Sequence, residues 1–233
     1  MGIEFDLLSL EQVVSIIFLN LNKNQKIFIV TANPEIVVNS RKDSKLKNII
    51  KNADIVTPDG IGIVFAIRLK KNKVKRVSGF DLVKEIFLRV NDCANYNIFL
   101  LGSNKKNIKL AKENIEKDYR NIKICGYHDG YFDDENKIID LINCCQTDIL
   151  LVGMGSPLQE KFIFDNKKKI NAKIFIGVGG TFDILSGNIK RAPILIQNIG
   201  LEWLYRIFKQ PKRIFRIAFM PKFIFSFLFE RFR

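Results

Sequence analysis

Six apolar, β-branched runs alternating with amphipathic stretches predict an α/β protein. The expected core is a Rossmann-like parallel sheet with helices on both faces, extended by a basic, helical C-terminal appendage. Two further observations support this. Five of the strands end in small polar turns, and no strand pattern appears after Ala192-Pro193. A chain of 233 residues suits one such domain with an extension, so residues 1–193 are assigned to the α/β catalytic domain and 194–233 to the appendage.

The elements follow in order. Ser9 reads as the N-cap of a helix over 10–21. The first strand is 26–31, and Pro34 opens a helix where its missing N–H costs nothing. Strands are predicted at 54–57, 97–101, 122–125, 148–152 and 173–178, each a short apolar run of the kind buried on both faces. Helices are predicted at 60–70, 80–91, 105–119, 136–144 and 158–170. The sheet is complete before residue 194, so a chain ending at 199 is expected to fold.

Lys and Arg number 38 against 24 Asp and Glu, a net charge of +14 that calls for an anionic partner. The charge is concentrated: residues 206–233 hold eight basic side chains against Glu230 alone, a net +7, together with eight phenylalanines. Hydrophobic residues make up 47%, which excludes a disordered chain. The four cysteines and the single His128 show no metal-binding spacing, so the thiols are expected to be reduced core filler. Residues 1–8 lack the basic start of a signal peptide, and no apolar run reaches the roughly 18 residues of a membrane span.

Ligands of open parallel sheets bind beyond the strands' carboxyl ends, which selects five turns. Thr31 and Asn33 place a hydroxyl and an amide before a helix N-terminus, although Asn33 serves equally well as a helix cap. Asp59 lies between Pro58 and Gly60, where it is either an N-cap or a catalytic carboxylate. Gly102-Ser103-Asn104 is either a phosphate cradle or a plain turn. Gly153 and Gly155 flank a fourth strand end, followed by Gln159 and Glu160 in the first turn of a helix. Gly179, Thr181 and Asp183 form the fifth, with hydrogen-bonding groups for sugar hydroxyls or, for Asp183, a capping role. No Walker A loop, GxGxxG, Ser-His-Asp set or DxD triplet occurs, and Asp133-Asp134 lacks the DxD spacing.

Taken as an ordered set, these turns resemble the WecG/TagA/CpsF family of glycosyltransferases. The residues that carry the resemblance are Thr31-Ala32-Asn33-Pro34-Glu35, Pro58-Asp59-Gly60, the stretch from Gly153 to Lys161, the stretch from Gly177 to Asp183, Arg191-Ala192-Pro193, and the stretch from Gly200 to Arg206 continued by Pro211-Lys212-Arg213. The resemblance implies an inverting transfer, without metal ion or other cofactor, from a UDP-sugar, commonly UDP-N-acetylmannosamine or its uronic acid. The implied acceptor is a polyprenyl-diphosphate-linked GlcNAc, and the products are teichoic acid linkage units, enterobacterial common antigen or capsule. Asp59 takes the family's general-base position by this analogy. Thr31, Asn33 and Gln159 fall at pocket positions, and Arg206, Arg213 and Arg216 at basic positions of the appendage.

These implications fit the residue chemistry. An attacking hydroxyl needs one carboxylate to take its proton, and a leaving UDP needs positive charge or N–H donors. The expected location is cytoplasmic, peripheral on the inner face of the membrane, with the tail on anionic lipid. A homo-oligomer is compatible with the sequence. Two other classes rank lower. A nucleotide-binding Rossmann oxidoreductase wants GxGxxG where Ala32-Asn33-Pro34-Glu35 stands. A nucleic-acid binder would explain the charge, but the tail is Phe-rich and lacks polar base readers.

Overall fold

The computed structural model describes residues 2–69, 72–93, 96–198, 201, 202, 204, 205, 219 and 221–223. Its centre is a six-stranded sheet, every pairing parallel, in the order β2-β1-β6-β5-β3-β4. The strands are β1 Ile27–Ala32, β2 Ile55–Pro58, β3 Asn97–Gly102, β4 Lys123–His128, β5 Ile149–Gly153 and β6 Ile174–Gly177. All six coincide with predicted runs. β4 continues three residues beyond the predicted 125, because Tyr127 and His128 keep the register against Leu100 and Leu101.

Alternation along the strands divides the interior into two cores. Phe28, Val30, Phe99, Leu101, Leu150, Val152 and Phe175 face one side. There they meet α2 (Pro34–Ser40), α3 (Ser44–Lys51), α4 (Ile61–Leu69), α7 (Glu135–Cys144) and α8 (Leu158–Asn166). Ile27, Ile29, Ile98, Leu100, Ile149, Leu151, Ile174 and Ile176 face the other. They meet α1 (Leu10–Asn22), α5 (Gly79–Cys93), α6 (Lys105–Asp118) and α9 (Thr181–Leu185). Near-continuous apolar runs in the central strands are what a sheet covered on both faces requires, with Thr31 and Thr57 near the carboxyl ends and Lys123 and His128 on the edge strand β4 as exceptions. Each fully buried Leu, Ile or Phe contributes about 1.5–3 kcal/mol, so the central strands dominate the stability.

Local chemistry sets the element ends. Ser9 and Gln12 close a reciprocal capping box on α1. Asn33 Oδ1 accepts from the Ile36 N–H and caps α2, as its position predicts. Carboxylates register the strand starts: Asp54 Oδ2 accepts from the Phe28 N–H at 2.7 Å and Asp148 Oδ2 from the Asn97 N–H at 2.8 Å. Helix α3 has no counterpart among the predicted elements, although Asp43 caps it and Leu46, Ile49 and Ile50 form its buried stripe. The helix predicted to run to residue 170 ends at Asn166, whose amide donates back to Phe162 O and across to Glu135. Cys144 is exposed, and Cys125 and Cys145 pack against the first core. Helix α10 (Ile194–Asn198) begins where the strand pattern stops. Among the described residues no helix is long and apolar enough to cross a membrane.

Phe175 sits at the centre of the sheet with no exposure. Phe175→Ala is expected to cost about 3–5 kcal/mol. Chemical unfolding checks this through the denaturant midpoint, which should fall with little change in slope.

Candidate active site

With all strands parallel, their carboxyl ends share one edge, and a cavity of about 600 Å³ opens there. Its walls include Thr31, Asn33, Asp59, Ser103, Gly153, Gly155, Gln159, Gly179, Thr181 and Asp183. Nine predicted site residues, drawn from four strand ends, therefore meet in one pocket, beside Ser103 from the turn after β3. The tenth, Gly102, lies just beneath. A Cβ on Gly102 would overlap the Gly153 backbone, so only glycine lets the ends of β3 and β5 approach this closely. Arg206, Arg213 and Arg216 lie outside the described residues.

The structure gives several of these side chains internal partners. The Thr31 hydroxyl donates to Gly177 O at 2.9 Å, tying β1 to β6. The Thr181 hydroxyl donates to Val178 O at 2.7 Å. Asp183 Oδ1 accepts from the Ser103 hydroxyl at 2.7 Å and the Asn107 amide at 3.0 Å, joining the loops after β3 and β6. Gln159 Oε1 accepts N–H groups from Gly155 and Gly179. Asp59 differs in placement. The first hydrogen bond of α4 runs from Val64 N–H to Gly60 O, so Gly60 holds the cap position and Asp59 precedes it, at the pocket wall.

Asp59 faces a residue that sequence reasoning missed. The Thr57 hydroxyl donates to Val77 O, and Val77 N–H donates to Pro58 O, so the chain before α5 lies along the end of β2. This brings the Arg76 guanidinium into the pocket wall. Burial works against its charge, but the negative charges of Asp59, Glu202 and Asp81 outweigh burial and hold Arg76 more firmly protonated. Arg76 pairs with Glu202 at 3.0 Å and Asp81 at 3.4 Å. Arg191 grips Asp81 through both nitrogens, at 2.6 and 2.8 Å, and its guanidinium lies over the Phe80 ring, 4.6 Å from the centroid. The Ser78 hydroxyl donates to Asp81 at 2.6 Å, and Asp81 N–H donates to Ser78 Oγ, which caps α5. That reciprocal Ser78–Asp81 cap was a legible signal in the sequence.

This network ties Glu202, which follows the last strand and α10, to the pocket that it also lines. Phe219 lines the pocket too, and Phe223 is only 2% exposed within the first core. A chain cut at 199 would thus lose a partner of Arg76 and a buried core side chain, a cost invisible when the sheet alone is counted.

A doubly covered parallel sheet with anion-compatible glycine turns, a carboxylate and a guanidinium at its carboxyl edge defines the class: an α/β ligand-binding enzyme domain. The chain belongs to the WecG/TagA/CpsF glycosyl transferase family, whose model matches residues 1–233. It is 39% identical over 203 residues to the N-acetylglucosaminyldiphosphoundecaprenol N-acetyl-beta-D-mannosaminyltransferase of Bacillus subtilis (strain 168), covering 87% of this chain and 79% of that protein. The identically named protein of Staphylococcus aureus (strain MW2) is 33% identical over 231 residues, covering 97% and 90% of the two chains. Family membership sets aside the oxidoreductase and nucleic-acid-binding alternatives.

Burial raises the Asp81 carboxyl pKa, but the Arg191 pair, the Ser78 bond and Arg76 outweigh it and hold the carboxyl below its ordinary range. A depressed folded-state pKa gives stability that is present above the unfolded value and lost as pH falls. Asp81→Asn is therefore expected to destabilise by roughly 1–3 kcal/mol at neutral pH, with the gap to wild type closing below about pH 4. Thermal unfolding of both proteins across that range checks it.

Proposed function

We propose that this enzyme transfers an N-acetylhexosamine-type sugar, N-acetylmannosamine first, from a UDP-sugar to a GlcNAc carried on a polyprenyl diphosphate. The transfer inverts the anomeric carbon and uses no metal ion. The observation that carries this reading is the meeting of Asp59 and Arg76 at the sheet's carboxyl edge, in a chain whose relatives are named for the corresponding reaction.

The reaction is a single displacement. The acceptor hydroxyl oxygen attacks the anomeric carbon while the bond to the UDP phosphate oxygen breaks. Asp59 takes the hydroxyl proton, and UDP leaves with the bonding electron pair. Asp59 is assigned this role by its place at the end of β2 on the pocket wall and by the Pro58-Asp59-Gly60 motif of the family. Arg76 supplies fixed positive charge near the departing phosphate without any reorganisation. Arg206, Arg213 and Arg216 are proposed to add to it from the appendage.

The division into a catalytic domain over 1–193 and a membrane-associating appendage over 194–233 belongs to this proposal. Eight phenylalanines and a net +7 over 206–233 suit an interfacial segment on an anionic inner leaflet. Glu202, Phe219 and Phe223 support a tail that also returns to the pocket.

Asp59→Asn is expected to lower kcat about 10²–10⁴-fold with the fold intact. The check is UDP release from a panel of UDP-sugars with a soluble prenyl-diphosphate-GlcNAc acceptor. If Glu35→Gln, and not Asp59→Asn, abolishes turnover, the base is Glu35. Activity is expected to survive EDTA, and strict dependence on added Mg²⁺ or Mn²⁺ would overturn the metal-free mechanism.

A further inference from the structure

Two glycine-containing loops line the pocket, and a buried acid outside the proposed chemistry lies next to the side chain that joins them. Gly155 and Gly179 adopt φ values of +82° and +52°, and a Cβ on either would meet nothing within 4 Å, so their backbones border open space. Both belong to the pocket wall. Their N–H groups converge on one acceptor, Gln159 Oε1, at 3.2 and 2.9 Å. That oxygen fastens the loop after β5 to the loop after β6. Gly177 leaves the space for it, since a Cβ there would stand 2.7 Å from Gln159 Nε2.

A primary amide has its acceptor at one end and its donors at the other, so its surroundings decide which way it points. Turned by half a rotation, Gln159 would press its NH₂ against two backbone N–H groups. What holds it the right way is Glu160, whose Oε1 accepts from Gln159 Nε2 at 2.7 Å. Glu160 is fully buried, does not line the pocket, and cannot touch a ligand there. Its Oε2 and the Ser156 hydroxyl are buried without hydrogen-bond partners. Burial pushes the Glu160 carboxyl above its ordinary range, opposed by the Gln159 and Ser156 groups and reinforced by the charge of Glu35.

We infer that Glu160 is a positioning residue. Acting through the Gln159 amide, it sets the separation of the two glycine loops on which the nucleotide part of the donor rests. This rests on the reading of the pocket as a nucleotide-sugar site, and the test keeps the two apart.

The test compares Glu160→Gln, Glu160→Ala and wild type by three measurements: UDP affinity by calorimetry, kcat and donor KM, and the Gly155 and Gly179 amide resonances. Glu160→Ala is expected to weaken UDP and raise donor KM about tenfold or more, with a smaller change in kcat, because binding geometry rather than the reacting carboxylate is disturbed. Both glycine resonances should move together. Glu160→Gln can still accept from Gln159 and should stay within about threefold of wild type. Where alanine leaves too large a void to fold, Glu160→Leu replaces it at similar volume. A folded Ala or Leu variant with unmoved glycine resonances and wild-type UDP affinity overturns the inference, as does a Gln variant as impaired as Ala. If no UDP-sugar is turned over by wild type while UDP binding and both resonances still follow Glu160, the transfer reading fails and the positioning role stands.

Discussion

The constraint on which the molecule depends is that six strands run in one direction. Parallel neighbours cannot be joined by tight turns, so each connection crosses a face of the sheet. The crossings cover both faces, which is why the central strands are nearly all apolar and why two cores form. Polar groups have no place in the body of such a sheet. They collect where the strands stop, at the carboxyl edge, and there loops from β1, β2, β3, β5 and β6 enclose one cavity.

Electrostatics give that cavity its direction. The chain carries +14 overall, yet its pocket is no simple basic patch. Arg76 and Arg191 are each held by carboxylates, through Asp81 and Glu202. Buried guanidinium groups need such partners, because an unpaired charge out of water is costly. The same pairing fixes where Arg76 stands relative to Asp59. It also joins Glu202, beyond the last strand, to the sheet's carboxyl edge, so one network orients the charge that a departing phosphate would meet and the start of the segment proposed to bring the enzyme to its lipid-linked substrate.

Much of this was legible in the chain, for identifiable reasons. The strands were readable because burial on both faces demands unbroken apolar runs, as in Ile149–Gly153. The strand-end residues were readable because topology forces them to one edge. Helix α3 escaped because its eight residues hold only three buried apolar positions among lysines. Arg76 escaped because its place depends on the backbone bonds of Val77 to the end of β2, a contact that no local pattern announces. The roles of Thr31, Gln159 and Asp183 were half readable. Position put them at the pocket, but only the structure shows their polar atoms bracing neighbouring loops. Glu160 reads only as part of a helical first turn beside the pocket, and its full burial shows in the structure alone.

The proposed mechanism requires one displacement, with Asp59 on the acceptor and positive charge on the leaving phosphate. Its stereochemistry is the most direct test. The purified enzyme would be given an α-linked UDP-sugar and the soluble acceptor, and the one-bond carbon–hydrogen coupling measured at the new anomeric centre. A β-linked product is the result expected of single displacement. An α-linked product would mean that configuration is retained, and would contradict the account.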